Sequence, residues 1–383
     1  MDWKSIRMAN VRGKRVIIRV DMNVPFDARG RILDDFRIRE SLTTIRWILA
    51  HGGSVFVLLH RGRPEGLDKK LTIGPIARRV SQLLRLPVAI VSDPVMENPD
   101  QYRASRIIFC ENIRFFPGED KNSPALARAL AHWGEIYVND AFAVSHRKAA
   151  SIVGLPRLLS AYAGLLLEKE IKTLDAVFVR PRRPFLAIFG GAKISTKLPY
   201  IPAFIKKADR VAIGGAIAST LLAASGHKVG RSLTEPGFFR AARQILRSKK
   251  LIVPTDVRLV RYDDRGGRAR DASIDRIGRN DYILDIGEES IQTFCKAVKD
   301  ARTILWNGPL GNTDYPKGRE STRRVFAAIK KSRARTVLGG GDLDVVDEGQ
   351  KPSQRIFVST GGGAMLEFIA RGTLPGVEAL KKR

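Results

Sequence analysis

The chain has 383 residues, 44% of them hydrophobic and 28% charged, which is a globular composition with room for two domains. Its apolar runs are too short to span a bilayer, and its two cysteines, Cys110 and Cys295, offer neither a disulfide framework nor a metal-binding spacing. Sixty-seven Lys and Arg against 39 Asp and Glu give a net charge of +28, which favours anionic partners such as nucleotides, phosphorylated metabolites or nucleic acid.

The opening stretch MDWKSIRMANVRGKRV has no apolar core of signal-peptide type, and with the sparse cysteines it points to a cytoplasmic protein. The basic residues are spread along the chain in short clusters such as Arg180-Pro181-Arg182-Arg183. No zinc-finger pattern, RRM-type aromatic motif or long basic tail accompanies them, so a broadly basic solvated surface explains them better than specific nucleic-acid binding.

Taken in order, Val16–Val20 reads as a strand ending in Asp21-Met22-Asn23. A helical pattern opens at Arg37 and runs to about Ala50, where Gly52-Gly53 stops it. The strand Ser54–Leu59 ends in His60-Arg61-Gly62-Arg63, and a helix follows near Ile73–Leu84. Pro87–Val91 and Arg106–Phe109 are further strands, the second leading to Arg114. A helix near Pro124–Trp133 precedes the strand Glu135–Val138, after which come Asp140, His146 and Arg147. Alternating β and α elements imply a parallel sheet with helices on its faces. Strands that run parallel share one carboxyl edge. That edge then gathers Asp21, Asn23, His60, Arg63, Arg114 and Arg147, with Arg37 close behind the first strand. Guanidinium forks suit carboxylate and phosphate, so the set reads as an anion site.

Leu165–Phe178 has a helical alternation that Pro181 and Pro184 close, and it reads as a link between halves. The second half restarts with the strand Phe185–Phe189 and the turn Gly190-Gly191. Lys193 and Lys197 follow, four apart, and on a helix they would share one face. Glycines past a strand let backbone N–H groups approach an anion, so this stretch suits a phosphate, although it is not a GxxxxGK[ST] loop. Further strands end in glycine turns: Asp209–Ile213 in Gly214-Gly215-Ala216, Thr303–Trp306 in Asn307-Gly308, Thr336–Leu338 in Gly339-Gly340-Gly341-Asp342, and Ile356–Val358 in Ser359-Thr360-Gly361-Gly362. Leu251–Val253 is one more strand, and Glu288–Val298 one more helix. Such turns make a backbone surface for phosphates and a flat base. Asp342 suits either Mg²⁺ on a nucleotide or a helix N-cap.

The blocks VDMNVP, DDFRIRESLTTI, HRGRPEG, ENIRFFPGED, VNDAFAVSHR, FGGAKISTK, WNGPLG, GGGD, STGGGAMLEF and LPGVEAL, in this order along the whole chain, resemble the phosphoglycerate kinase family. The resemblance implies an α/β enzyme of two Rossmann-like lobes, each a parallel sheet with helices on both faces. A glycerate-binding lobe spans 1–164, a connecting helix and hinge 165–184, and a nucleotide-binding lobe 185–370, while a tail at 371–383 packs back on the first lobe. It implies reversible phosphoryl transfer from 1,3-bisphosphoglycerate to ADP, in line and on lobe closure, with Mg²⁺, by a cytoplasmic monomer that does not engage a membrane.

Carried over by position, Asp21, Asn23, Arg37, His60, Arg63, Arg114 and Arg147 hold the glycerate. Gly190, Gly191, Lys193, Lys197, Gly214, Asp314, Gly339, Gly340, Gly341, Asp342, Gly361 and Gly362 hold the nucleotide, with Asp342 on the metal and Asp314 in place of a ribose-binding Glu. Arg37, Lys193 and Lys197 are the implied catalytic groups. The chain departs from the pattern at Arg61, Ala149, Thr196, Ala216, Asn312-Thr313-Asp314 and Leu343, mostly on the nucleotide side. The lost hydroxyl at Leu343 removes one phosphate hydrogen bond, worth about 1–3 kcal/mol. The competing reading is a catalytically weak relative that binds nucleic acid or another polyanion non-specifically through its basic surface. A Rossmann dehydrogenase has no support, because no GxGxxG opens a helix after the first strand.

Overall fold

The computed structural model describes residues 3–340 and 354–381. The chain divides into two compact units, Met1–Lys172 with Arg371–Arg383, and Thr173–Ala370.

The first unit runs β1 (Arg15–Val20), α1 (Phe36–Ala50), β2 (Ser54–Leu58), α2 (Gly74–Leu84), β3 (Ala89–Val91), β4 (Ile107–Cys110), α3 (Pro124–Ala131), β5 (Ile136–Asp140) and β6 (Ser160–Ala163). The sheet order is β3-β4-β2-β1-β5-β6, and every pair is parallel. Strands covered on both faces must be apolar along their length, as Val16, Ile17, Ile18 and Val20 of β1 are. Helix α1 turns Ile38, Leu42, Ile45 and Ile48 inward at three- and four-residue spacing, each fully buried. Each such side chain contributes about 1.5–3 kcal/mol of apolar burial. Strand order reverses beside β1, with β2 on one side and β5 on the other, and open α/β sheets open a crevice at such a reversal.

Helix α4 (Leu165–Phe178) follows, and the division between the units falls inside it, after Lys172. Asp140 at the end of β5 caps α4, accepting the N–H groups of Leu166 and Leu167 at 2.9 and 3.1 Å.

The second unit runs β7 (Phe185–Phe189), α5 (Ile201–Lys207), β8 (Arg210–Ile213), α6 (Gly215–Ala224), α7 (Phe239–Leu246), β9 (Leu251–Ile252), β10 (Asp256–Arg261), β11 (Arg270–Ser273), β12 (Asp281–Ile286), α8 (Glu288–Asp300), β13 (Thr303–Asn307), α9 (Glu320–Lys331), β14 (Arg335–Gly339), β15 (Ile356–Ser359) and α10 (Gly362–Arg371). Its main sheet, β15-β14-β13-β7-β8-β9, is again wholly parallel, and its order reverses between β7 and β13. The expected α/β class with two parallel sheets is therefore observed. The sequence reading missed β6 and a separate antiparallel sheet, β11-β10-β12. Helix α11 (Pro375–Glu378) belongs to the first unit, where Gly376 N–H donates to Ser145 O at 2.8 Å and an antiparallel bridge joins Trp3 to Lys381. Among the described residues no helix is long and apolar enough to cross a membrane.

Candidate active site

Because β1, β2, β4 and β5 are parallel, the segments leaving them meet at one edge of the first unit. Asp21 follows β1 and accepts Arg37 Nη1 from the start of α1 at 2.9 Å. Asn23 Oδ1 accepts the Gly62 N–H at 3.0 Å, tying the segment after β1 to the one after β2. Arg114 sits in a 3-10 turn after β4 and donates through Nη1 to Gly62 O at 2.7 Å. Arg114 and Arg147 share Asp120, at 3.9 and 4.0 Å, and that carboxylate is largely exposed. Arg147 Nε is buried without a hydrogen-bond partner. Burial lowers the pKa of both arginines, and Arg63 and Arg19 lower each further. Asp21, Asn23, Arg37, Arg63, Arg114, Arg147 and His60 are thus brought together.

His60, 5% exposed, is held well below its ordinary pKa by burial first, and then by Arg19, Arg114, Arg147 and Arg37. It is neutral. Arg19 Nη2 lies 3.4 Å from His60 Nδ1. Arginine can only donate, so Nδ1 accepts and the imidazole proton sits on Nε2. Arg19 is a residue the sequence reading passed over. It is a buried guanidinium in the central strand, donating through Nε to Ser151 Oγ at 2.9 Å. Its counter-charge is Glu119, which accepts Ser151 N–H and Oγ–H at 2.9 and 2.5 Å. Five guanidiniums here meet three carboxylates, Asp21, Glu119 and Asp120. The excess positive charge in a half-buried setting suits a polyanion of small size.

Two departures from the family pattern have local explanations. Arg61 packs its guanidinium 3.6 Å from the Phe26 ring centroid and donates to Thr72 O at 2.8 Å, so it clamps loops. Ala149 is buried in an apolar cluster with Ala141, Val144 and Ile152.

In the second unit the glycine turns assemble at the carboxyl edge beside the β7/β13 reversal. Gly190 and Gly191 donate to Asn307 O and Pro309 O at 3.0 and 2.6 Å. Gly191 and Gly215 both have positive φ, +96° and +61°, and a Cβ on Gly215 would lie 2.6 Å from Gly191 N. No side chain fits between those backbones. Gly340 and Gly362 approach as closely, a Cβ on Gly362 meeting Gly340 Cα at 2.7 Å. Gly339 ends β14, and Gly361 lies between β15 and α10. Beside these turns a cleft of about 350 Å³ is lined by Gly191, Gly215, Leu222, Tyr282, Leu310 and Asp314, among others. Its mix of bare backbone and apolar side chains suits a flat heterocycle. Gly214 is the N-cap of α6.

Lys193 and Lys197 are not on a helix, contrary to the face-sharing their spacing offered. They occupy a turn before α5, because Pro199 has no N–H to continue a helix and Gly191 takes positive φ. Lys193 is exposed, and Lys197 folds back so that Nζ donates to Gly190 O. Thr196 Oγ1 donates to Lys193 O at 3.0 Å, so its hydroxyl closes the turn. Ala216 N donates to Gly191 O at 3.1 Å. Asn312 Oδ1 accepts the Asp314 N–H at 3.1 Å and Asn312 Nδ2 donates to Tyr282 OH at 3.2 Å, which fixes two residues of the cleft wall. Gly341, Asp342 and Leu343 lie outside the described residues.

The phosphoglycerate kinase family model matches residues 6–371. The chain belongs to the phosphoglycerate kinase family. A phosphoglycerate kinase from Desulfosudis oleivorans is 41% identical over 391 residues, covering 99% of each chain. The structure of phosphoglycerate kinase from Coxiella burnetii superposes with a TM-score of 0.81 at 34% identity, covering 99% of this chain and 98% of that one. The enzyme from Pyrococcus horikoshii gives 0.87 at 29% identity, with 98% of each chain covered. Each of the two units holds one of the two residue sets described above.

Proposed function

We propose that the protein transfers a phosphoryl group reversibly between 1,3-bisphosphoglycerate and ADP, giving 3-phosphoglycerate and ATP. The observation that carries this is the arginine cluster of the first unit, with its excess of guanidiniums over carboxylates, in a chain of this family. Arg63, Arg114 and Arg147 hold the glycerate anion with Asp21 and Asn23, and neutral His60 donates through Nε2. The cleft of the second unit takes the nucleotide, with Asp314 at the ribose and Lys193 and Lys197 at the phosphates.

The chemistry asks little of proton transfer. It asks for in-line placement and for neutralised charge on the equatorial oxygens of the moving group. Arg37 supplies that neutralisation from the glycerate side, and Lys193 and Lys197 from the nucleotide side. Closure of the lobes during the cycle keeps water from the acyl phosphate.

Magnesium fits this scheme as a companion of the nucleotide. Mg²⁺ on a nucleotide is held mainly by phosphate oxygens and water, with one or two carboxylates. Asp342 is the carboxylate that would complete its shell. Bound there, the ion neutralises phosphate charge. The protein acts as a cytoplasmic monomer in this reading, and no observation favours the alternative of a polyanion-binding relative. A coupled assay with 3-phosphoglycerate and Mg-ATP tests the proposal. Turnover that collapses in Arg37→Ala is expected, and absence of turnover at saturating substrates overturns it.

A further inference from the structure

We propose that Glu235 is a positioning residue that sets the lysine turn through its backbone, and does so by accepting hydrogen bonds rather than by its charge. The inference rests on the phosphoryl-transfer reading, because the turn matters for the lysines it carries.

The far half of the turn closes on itself. Lys197 N and Leu198 N donate to Ile194 O at 2.9 and 2.8 Å, and Tyr200 N donates to Lys197 O at 2.9 Å. The near half does not. In a helix Ile194 N and Ser195 N would donate to the carbonyls of Gly190 and Gly191. Gly191 at φ +96° takes the chain off that path, and Gly190 O accepts Lys197 Nζ while Gly191 O accepts Ala216 N. Both N–H groups turn instead to one oxygen, Glu235 Oε1, at 2.8 and 3.3 Å.

Glu235 is itself held. Its N–H donates to Thr220 Oγ1 at 3.3 Å, and Thr220 Oγ1 donates to Ala216 O at 3.0 Å. Ala216 N donates to Gly191 O, which closes a ring from the glycine turn through α6 and Glu235 back to Ile194. The ring fixes the lysine turn relative to the glycine turn. A carboxylate beside a phosphate site opposes the ligand by charge. Its benefit must therefore come from geometry, and geometry is what a transition-state contact depends on.

The test is steady-state kinetics with 3-phosphoglycerate and Mg-ATP, with ADP binding by calorimetry, on wild type, Glu235→Ala, Glu235→Gln and Thr220→Val. Glu235→Ala is expected to lower kcat by about 10- to 100-fold, with ADP Kd moving less than about threefold. Glu235→Gln keeps an acceptor oxygen and is expected to regain most of the loss. Thr220→Val loosens Glu235 and is expected to fall between. Amide exchange at Ile194 and Ser195 should quicken in Glu235→Ala. An unchanged kcat in Glu235→Ala, or a glutamine variant as impaired as the alanine one, overturns the proposal. So does a loss of rate that merely follows loss of folded protein in thermal melts. If wild type shows no turnover, the functional reading fails, and unchanged amide exchange in Glu235→Ala then overturns the role of Glu235 separately.

Discussion

Replacing Asp285 with asparagine should flatten the pH dependence of folding stability between pH 5 and 8. Asp285 is the penultimate residue of β12, close against Gly311, and is 1% exposed. Three donors meet its carboxylate: Ile286 N at 2.8 Å, Ser321 N at 3.0 Å and the Ser321 hydroxyl. These bonds and Arg258 favour the charged form, yet burial outweighs them and pushes the carboxyl up to about 7. A rise from 3.8 to about 7 corresponds to about 4 kcal/mol of stability in the protonated form. The sign follows from a raised acid. That stability is complete below the unfolded value and is lost as pH climbs through about 7. Between pH 5 and 8 the loss is about 2–3 kcal/mol. Asparagine mimics the protonated side chain and cannot titrate. It sets an amide N–H against one of the existing donors, at a cost of about 1–3 kcal/mol that does not vary with pH. Urea denaturation of both proteins at pH 5, 6, 7 and 8, at constant ionic strength, measures the difference. A gap between them that narrows by about 2–3 kcal/mol toward pH 8 is expected. Parallel profiles would show that Asp285 does not carry the proton.

Other outcomes are equally concrete. Arg147→Met should raise KM for 3-phosphoglycerate by at least about tenfold while leaving ADP Kd unchanged, as the lost charge-assisted bonds dictate; equal effects on both ligands would place Arg147 elsewhere. Nitrogen NMR at pH 7 should show a neutral His60 ring with its proton on Nε2, and a ring protonated on Nδ1 would contradict the Arg19 contact. Gly215→Ala places a methyl 2.6 Å from Gly191 N at φ +61°, so Tm should fall and ADP binding weaken by tenfold or more, on the order of 1–3 kcal/mol of backbone strain. Retained ADP affinity in that variant would mean the two glycine turns need not touch.

The parallel strands were legible because burial on both faces leaves unbroken apolar runs, as in Phe185–Phe189. The arginine set was legible for a topological reason, since parallel strands deliver their ends to one edge. Strand β6, with sequence SAYA, was not, for only Ala163 is buried and the pattern matches any loop. Nor was β11, whose RDAS has no fully buried residue and which pairs with β10. Arg19 sits between Ile18 and Val20 and looked like an interruption of a strand. Its meaning comes from Glu119 and Ser151, more than 90 residues away. The lysine turn had a readable signal in Pro199, which bars a helix through Lys197. Glu235 had none, because it meets Ile194 only through tertiary structure.

The first unit is built from two stretches of chain that flank the second, and its closing residues are Arg371–Arg383. Within it, Asn139 Nδ2 donates to Gly376 O at 3.3 Å, and Gly376 packs where a methyl would meet Ile152 at 2.8 Å. On the ribosome this order has a consequence. The second unit is contiguous and can reach its native state as it emerges, whereas the first unit, although most of it is synthesised earlier, lacks its contribution from Arg371 onward until the second has been made. A nascent chain at that stage carries an incomplete first unit and a complete second one, the reverse of their order of synthesis.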